Sequence, residues 1–599
     1  MSSRHTWFWL LLALGLFGFI FFYQRHVRNF VPVPAPVLAG FNPGKVTRLQ
    51  VRPMDQLEIR AERSNSTWTL TAPIDYPAQS VSIENLLTVL DRLVPVTRIT
   101  AAELKNRPKA DLEYGFANAQ ASIVLFEGDN RLAHVLIGSR TAPGDQVFVQ
   151  VVGVDEVYVV DAELLGYVPK SANDWRDTTL LNLKTLAFDR MVVTNSGKTF
   201  ELQRANTNAL WRMTWPMQTR ADHGRIEDSL EQLQGVRIRQ FVNDNPRMDL
   251  EAFGLQPPDL ELVFAQGTNV LAHLQFGKSP TNDAQQVYAR CVGKSGVVTV
   301  SKDLLAPWQV PVNDFRDPHL AAIVGAVGQI EIRGTNTFQI LYQTNQSWRI
   351  LPQNWPADSD LVPRLLATVG ALRVVQFVKD VVTEQDLPVY GLANPTREFV
   401  IRSISSTTNG LATNVVAEIQ FGTNNEDKVY ARRADESFVY AVKLEDFLRL
   451  PDAPWQLRDR QIWKYSENDV ARAVIRQDGK VRQINRNGPH DWALAPGSQG
   501  IINDLAIEET VKALCQLKTD EWVALGEENR PTFGFSTNGL SLTLELKNGE
   551  KATVEFGGES SAMIPFAGVA MENQLWIFKF PLLVFRDVQT YLSIPANVP

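Results

Sequence analysis

Cysteine is nearly missing from this chain of 599 residues: there are two, Cys291 and Cys515, at non-equivalent places. That excludes a disulfide framework and leaves the redox compartment undeclared. Histidine is also scarce, with seven in all. No two of them stand at the i, i+4 spacing that puts a pair of imidazoles on one helix face for zinc. An excess of charge of one sign is missing as well. The 59 basic and 66 acidic residues leave a net charge of -7 spread along the chain, with no basic stripe, so nucleic acid is not an expected partner. The chain lacks a nucleophile elbow, a phosphate-cradling P-loop and a dinucleotide fingerprint. No catalytic, cofactor-binding or metal-binding residue is therefore assigned, no cofactor is expected, and the chain is not read as an enzyme.

Long apolar runs are absent after the first. Trp7 to Tyr23 is uninterrupted and aromatic at both ends; at ~1.5 Å per residue it covers about 26 Å, close to a bilayer core of ~30 Å. This segment predicts a single N-terminal transmembrane helix, with residues 1–30 forming a short cytoplasmic tail and the span. The bulk of the chain is then extracytoplasmic. Arg4 before the run and Arg25 and Arg28 after it leave the positive-inside count nearly balanced, so the orientation rests on the short tail. The alternative is a cleaved signal peptide ending at Val37-Leu38-Ala39. Residues 31–45, with Val31-Pro32-Val33-Pro34-Ala35-Pro36, read as an extended, semi-rigid spacer.

Beyond the spacer one pattern recurs four times, at a spacing of roughly 140 residues, a usual domain size. Each unit has a tryptophan in an early strand (Trp68, Trp211, Trp348, Trp492) and then an aromatic-Gly-apolar triplet centred on Gly115, Gly254, Gly391 or Gly534. A strand ending in Gly138, Gly277, Gly422 or Gly557 comes next, and the unit closes on an Arg-Asp pair: Arg176-Asp177, Arg316-Asp317, Arg458-Asp459 or Arg586-Asp587. The boundaries are 46–185, 186–325, 326–466 and 467–599, the last unit being a divergent cap. The fold class expected is α+β: four tandem repeats of antiparallel strands with packed helices.

Within a repeat, Leu57, Ile59 and Ala61 alternate as in a half-buried strand, and Ile83, Leu86, Leu87, Leu90 and Leu93 mark one helix face. Ile507, Val511, Leu514 and Leu517 repeat that stripe in the fourth unit. The triplet glycine is expected in the left-handed region at a helix end. Leu540, Leu542, Leu544 and Leu546 run up to Asn548-Gly549, and Ala552, Val554 and Phe556 run down from it. That pattern predicts a two-residue hairpin with Lys547 opposite Glu550.

Three features invite a functional reading. His134 and His273 occupy equivalent positions, but Glu418 and Thr553 stand there in the other repeats, which marks a polar outward strand site. The Arg-Asp pairs read as helix starts, with Asp317 an N-cap before Pro318, and with the arginine satisfying groups in its own unit. The repeated tryptophans share a strand face with Leu70 or Ile350 and read as core.

Taken together, the Trp-x-[Leu/Ile] strand, the aromatic-Gly-Leu turn, the Phe-Gly strand end and Val-Tyr-Ala-Arg (287–290, 429–432) resemble the bacterial membrane-anchored family of domain of unknown function 4340. The resemblance covers about residues 46 to 590 and is clearest in the second and third repeats. It implies association with a gliding-motility-type ABC transporter system, namely its permease and an auxiliary extracytoplasmic subunit. The expected function is that of a non-enzymatic accessory or scaffold component. An extracytoplasmic polysaccharide- or peptide-binding protein and a cell-envelope enzyme remain as alternatives.

Overall fold

The computed structural model describes residues 3–28, 35–294, 296–323, 325–407 and 410–594. Its first repeat shows the plan. Strands Arg48–Pro53, Ile59–Ser64, Thr67–Ala72 and Tyr76–Pro77 form a meander, and helix Ser80–Asp91 then carries the chain to the far edge, where Thr97–Ile99 lies. Strand Ala121–Glu127 returns to the centre and pairs antiparallel with Arg48–Pro53, setting Leu49 opposite Leu125 and Val51 opposite Ile123. A second meander through Val157–Asp161 closes on Thr97–Ile99. The result is one nine-stranded antiparallel sheet.

The alternation then does the packing. Leu49, Val51, Ile123, Leu125, Val135, Ile137, Val147 and Val149 are buried on one face against Ile83, Leu86, Leu87 and Leu90 of the helix. Each such side chain stabilises by roughly 1.5–3 kcal/mol relative to exposure. The other three repeats form sheets of nine, nine and eight strands, with helices His223–Gly235, Leu361–Gly370 and Asp504–Cys515. By contacts the chain divides into two compact units, residues 1–210 with 224–310, and residues 211–223 with 311–599.

Two expectations are corrected. The fold is dominated by antiparallel sheet rather than being an α+β repeat with packed helices: each repeat spends one helix of 10 to 13 residues on a sheet of eight or nine strands. The physical reason is long-range pairing. Periodicity reveals strands on both sides of the helix, but it does not show that they join edge to edge in a single sheet.

The predicted transmembrane helix is also corrected. Among the described residues no helix is long and apolar enough to cross a membrane. Helix Ser3–Arg28 occupies the segment, but the apolar run Trp7 to Tyr23 falls short of the roughly 20 consecutive apolar residues a span takes. Of the expected proline spacer, residues 31–34 lie outside the described residues. Val37 donates its N–H to Leu93 at 2.7 Å, and Val37 and Leu38 are buried in the first core.

The triplet glycines adopt the left-handed region as expected, with φ of +78° at Gly115 and +67° at Gly391. They make room for the strand-ending glycines. A Cβ on Gly138 would stand 2.1 Å from the Tyr114 carbonyl oxygen, and one on Gly422 2.0 Å from that of Tyr390. The fourth-repeat hairpin forms, but Leu544 faces Ala552 and Glu545 faces Lys551, while the Leu546 N–H donates to Glu550. The loop is therefore three residues ending in Gly549 (φ +86°), a bulged turn, and Lys547 is not opposite Glu550.

Cys515 lies inside the fourth core with no exposure, and burial pushes its thiol up to about 12. The thiolate is the reacting species. A disulfide reagent at pH 8 is expected to titrate Cys291, which is partly exposed, and to reach Cys515 only after denaturation. Two equivalents consumed at once by native protein would contradict this packing.

Candidate functional site: the arginine junctions

The segment that closes each of the first three repeats returns to that repeat's first meander. The N–H of Asp177 donates to Pro77 O at 2.8 Å, that of Asp317 to Arg220 O at 3.1 Å, and that of Asp459 to Pro356 O at 2.9 Å. The aspartate side chain then accepts from the N–H two residues on, at Thr179 (2.9 Å), His319 (2.9 Å) and Gln461 (3.0 Å). These are Asx turns, and no helix follows them, which corrects the N-cap reading of Asp317. An aspartate and a proline satisfy a turn as well as a helix start, so the two residues alone do not distinguish them. The fourth pair differs, because Arg586 and Asp587 end helix Leu582–Asp587.

Held in that way, the preceding arginine reaches out of its own repeat. Arg176 Nη1 and Nη2 donate to Asp244 at 2.8 and 2.9 Å, a bidentate pair, and its guanidinium carbon lies 4.2 Å from the Tyr76 ring centre and 3.7 Å from that of Phe241. Arg316 donates to Asp380 at 2.6 Å and lies 3.9 Å from Phe377 and 4.9 Å from Phe438. Arg458 donates to Glu572 at 2.7 and 3.2 Å and rests on Trp355 and Trp576 at 5.1 and 4.1 Å. Arg176 and Arg316 are only 1% exposed. Burying a guanidinium is tolerable here because a charged acceptor and aromatic faces replace water. Burial also pushes the Tyr76 phenol up.

The expectation that each arginine serves its own unit is thereby corrected: the carboxylate comes from the sequence of the following repeat. A signal for it exists, since Gln240-Phe241-Val242-Asn243-Asp244 and Gln376-Phe377-Val378-Lys379-Asp380 are nearly the same string. In each, the phenylalanine takes the guanidinium face and the aspartate takes its edge.

Of the tryptophans, Trp68, Trp211 and Trp492 are core residues, whereas Trp348 is half-buried, 4.9 Å from Tyr342. The Trp68 indole donates to Glu84 at 2.6 Å and that of Trp492 to Glu508 at 2.8 Å, with Arg63 and Arg486 over the two indoles. His134 lies 2.9 Å from the Ser122 hydroxyl and His273 2.7 Å from Glu261. At the same position Thr553 meets Thr543 at 2.9 Å, and burial beside Glu398 holds the Glu418 carboxyl above its ordinary range. In each repeat the side chain at this position lies on the sheet face away from the helix, in agreement with the repeat comparison. Among the described residues, no three or more His, Cys, Asp or Glu side chains are grouped to share a metal ion.

A family model, domain of unknown function (DUF4340), matches three stretches: residues 68–209, 211–351 and 348–500. No curated protein matches the chain. Among solved structures, the DnaN sliding clamp (DNA polymerase III subunit beta) from Pseudomonas aeruginosa bound to griselimycin aligns over 67% of this chain and 94% of its own. Its identity is 7% and the TM-score 0.12, too low to relate the two folds.

Proposed function

Because the chain belongs to the DUF4340 family, we propose that it acts as a non-enzymatic scaffold on the extracytoplasmic side of the bacterial inner membrane. In this reading it is an accessory component of a gliding-motility-like ABC-type transporter, and its partners are the permease and the auxiliary subunit. The observation that supports the reading is the recurring arginine junction. Three times a guanidinium, fully buried at Arg176 and Arg316 and largely covered at Arg458, is held by a carboxylate from the next stretch of sequence and by aromatic rings. Such a device ties the closing segment of one repeat to side chains further along the sequence, which suits a protein that positions other proteins.

Crosslinking in intact cell membranes followed by mass spectrometry tests this. The expected result is recovery of a multispan permease and an extracytoplasmic subunit among the crosslinked partners. Recovery of no transporter subunit, together with turnover of a cell-envelope substrate by the purified chain, would transfer the assignment to an enzyme.

A further inference from the structure

The second junction departs from the other two. Arg220 stands where Pro77 and Pro356 accept the closing N–H, and the turn continues to His319 where the others continue to Thr179 or Gln461. The two departures meet. Arg220 donates from Nε to Glu436 at 2.9 Å, from Nη1 to Asp317, and from Nη2 to His319 O at 2.9 Å. The Tyr440 hydroxyl donates to Glu436 at 2.7 Å. Asp317 Oδ1 accepts from the backbone N–H and from Nδ1 of His319, both at 2.9 Å. An ionised carboxylate only accepts, so Nδ1 carries the proton, and Nε2 of the neutral ring is left as an acceptor. Nε2 has no hydrogen-bond partner among the described residues.

The backbone on both sides of this histidine is pinned. The Val374 N–H donates to Pro318 O at 2.7 Å and the Leu320 N–H to Leu372 O at 2.9 Å, so the ring is supported before anything binds. It stands on the wall of a pocket of about 460 Å³, lined also by Asp317, Ala321, Ile323, Leu366 and Gly370. That volume is in the range of small-molecule sites. A Cβ placed on Gly370 would meet no atom within 4 Å, so the helix end leaves the space open. With the ring neutral, the only charge in the lining among the described residues is that of Asp317, and its two oxygens are already bonded to Arg220 and His319. A charged ligand finds no free partner there. An apolar body meets alkyl side chains, and a hydroxyl meets Nε2.

We propose that this pocket binds a small uncharged molecule with an apolar body and a hydroxyl group, of the phenol or alcohol class. The hydroxyl donates to His319 Nε2, and the body packs on Ala321, Ile323 and Leu366. Arg220, Glu436 and Tyr440 are positioning residues: they hold Asp317, which fixes the tautomer of the ring. The site is independent of the transporter reading and would serve the chain whichever proteins it accompanies.

The test is equilibrium dialysis of the full chain at pH 8 against 2-naphthol, which has the apolar body and the hydroxyl, and against 2-methoxynaphthalene, which has the body alone. 2-Naphthol is expected to bind saturably, at least ~10-fold tighter than its methyl ether, the factor that one good hydrogen bond supplies. His319→Thr installs the residue of the first junction, whose turn forms with threonine, and should bring the two ligands to equal, weak binding. Gly370→Leu should abolish saturable binding of both by filling the space. Circular dichroism and the urea midpoint check that the variants fold, and the comparison of the two ligands on the parent chain decides without them. Absence of saturable 2-naphthol binding, equal binding of the two ligands by the parent, an advantage of 2-naphthol kept by His319→Thr, or indifference to Gly370→Leu would each overturn the proposal.

Discussion

Arg176→Ala is expected to lower the stability of the first unit by about 3–5 kcal/mol, the usual cost of breaking a buried ion pair from one side. The guanidinium is buried between Tyr76 and Phe241, so its removal leaves a gap between two rings and takes away the bidentate partner of Asp244. Asp244 is itself partly exposed and recovers some hydration, which places Arg176→Ala toward the lower end. Asp244→Ala belongs toward the upper end, because it leaves a cation buried without its acceptor. Arg586, the exposed member of the same series, is the control. Arg586→Ala should stay within about 0.5 kcal/mol of the parent in urea unfolding, as surface substitutions do.

The second large effect is expected at Gly422. An alanine there sets its Cβ 2.0 Å from the Tyr390 carbonyl oxygen and 3.1 Å from the adjoining carbonyl carbons. The obstacle is backbone, in a turn already fixed by the left-handed Gly391, whose own Cβ would meet the Thr423 nitrogen at 2.7 Å. No side-chain rotation relieves the clash. Gly422→Ala should therefore cost about 3 kcal/mol, at the top of the range for overpacking. Gly370, at the end of its helix with open space around it, should accept alanine with no loss. A small loss for Gly422→Ala would mean that the two glycine turns do not pack as described.

Local features are the ones legible in the sequence. The helix stripe from Ile83 to Leu90, the left-handed Gly115 and the leucine alternation before Asn548 each need only a few consecutive side chains, and all three are found. The register of that hairpin is not legible. A three-residue turn and a two-residue turn use the same Asn-Gly, and the pairing of Glu545 with Lys551 is what separates them. Sheet size is hidden for a related reason: the pairing of Leu49 with Leu125 spans the whole helix and both connections around it. The arginines are visible as a series, but their partners are not, because Asp244 lies far along the chain from Arg176. Only the recurrence of Gln-Phe-Val-x-Asp at 240–244 and 376–380 points to them. Trp348 departs from the core reading, since sharing a strand face with Ile350 does not prevent its outer edge from meeting solvent beside Tyr342.

The central claim, that these arginines clamp successive stretches of the chain and are not incidental surface pairs, is tested most directly by a double-mutant cycle on Arg316 and Asp380. Their contact is 2.6 Å, and the Nε and Nη2 atoms of Arg316 are buried with no hydrogen-bond partner among the described residues. Urea unfolding of the parent chain, Arg316→Ala, Asp380→Ala and the double variant should give a coupling of about 2 kcal/mol or more, within the span found for residues in direct contact. Additive single effects, with a coupling below about 0.5 kcal/mol, would contradict the clamp.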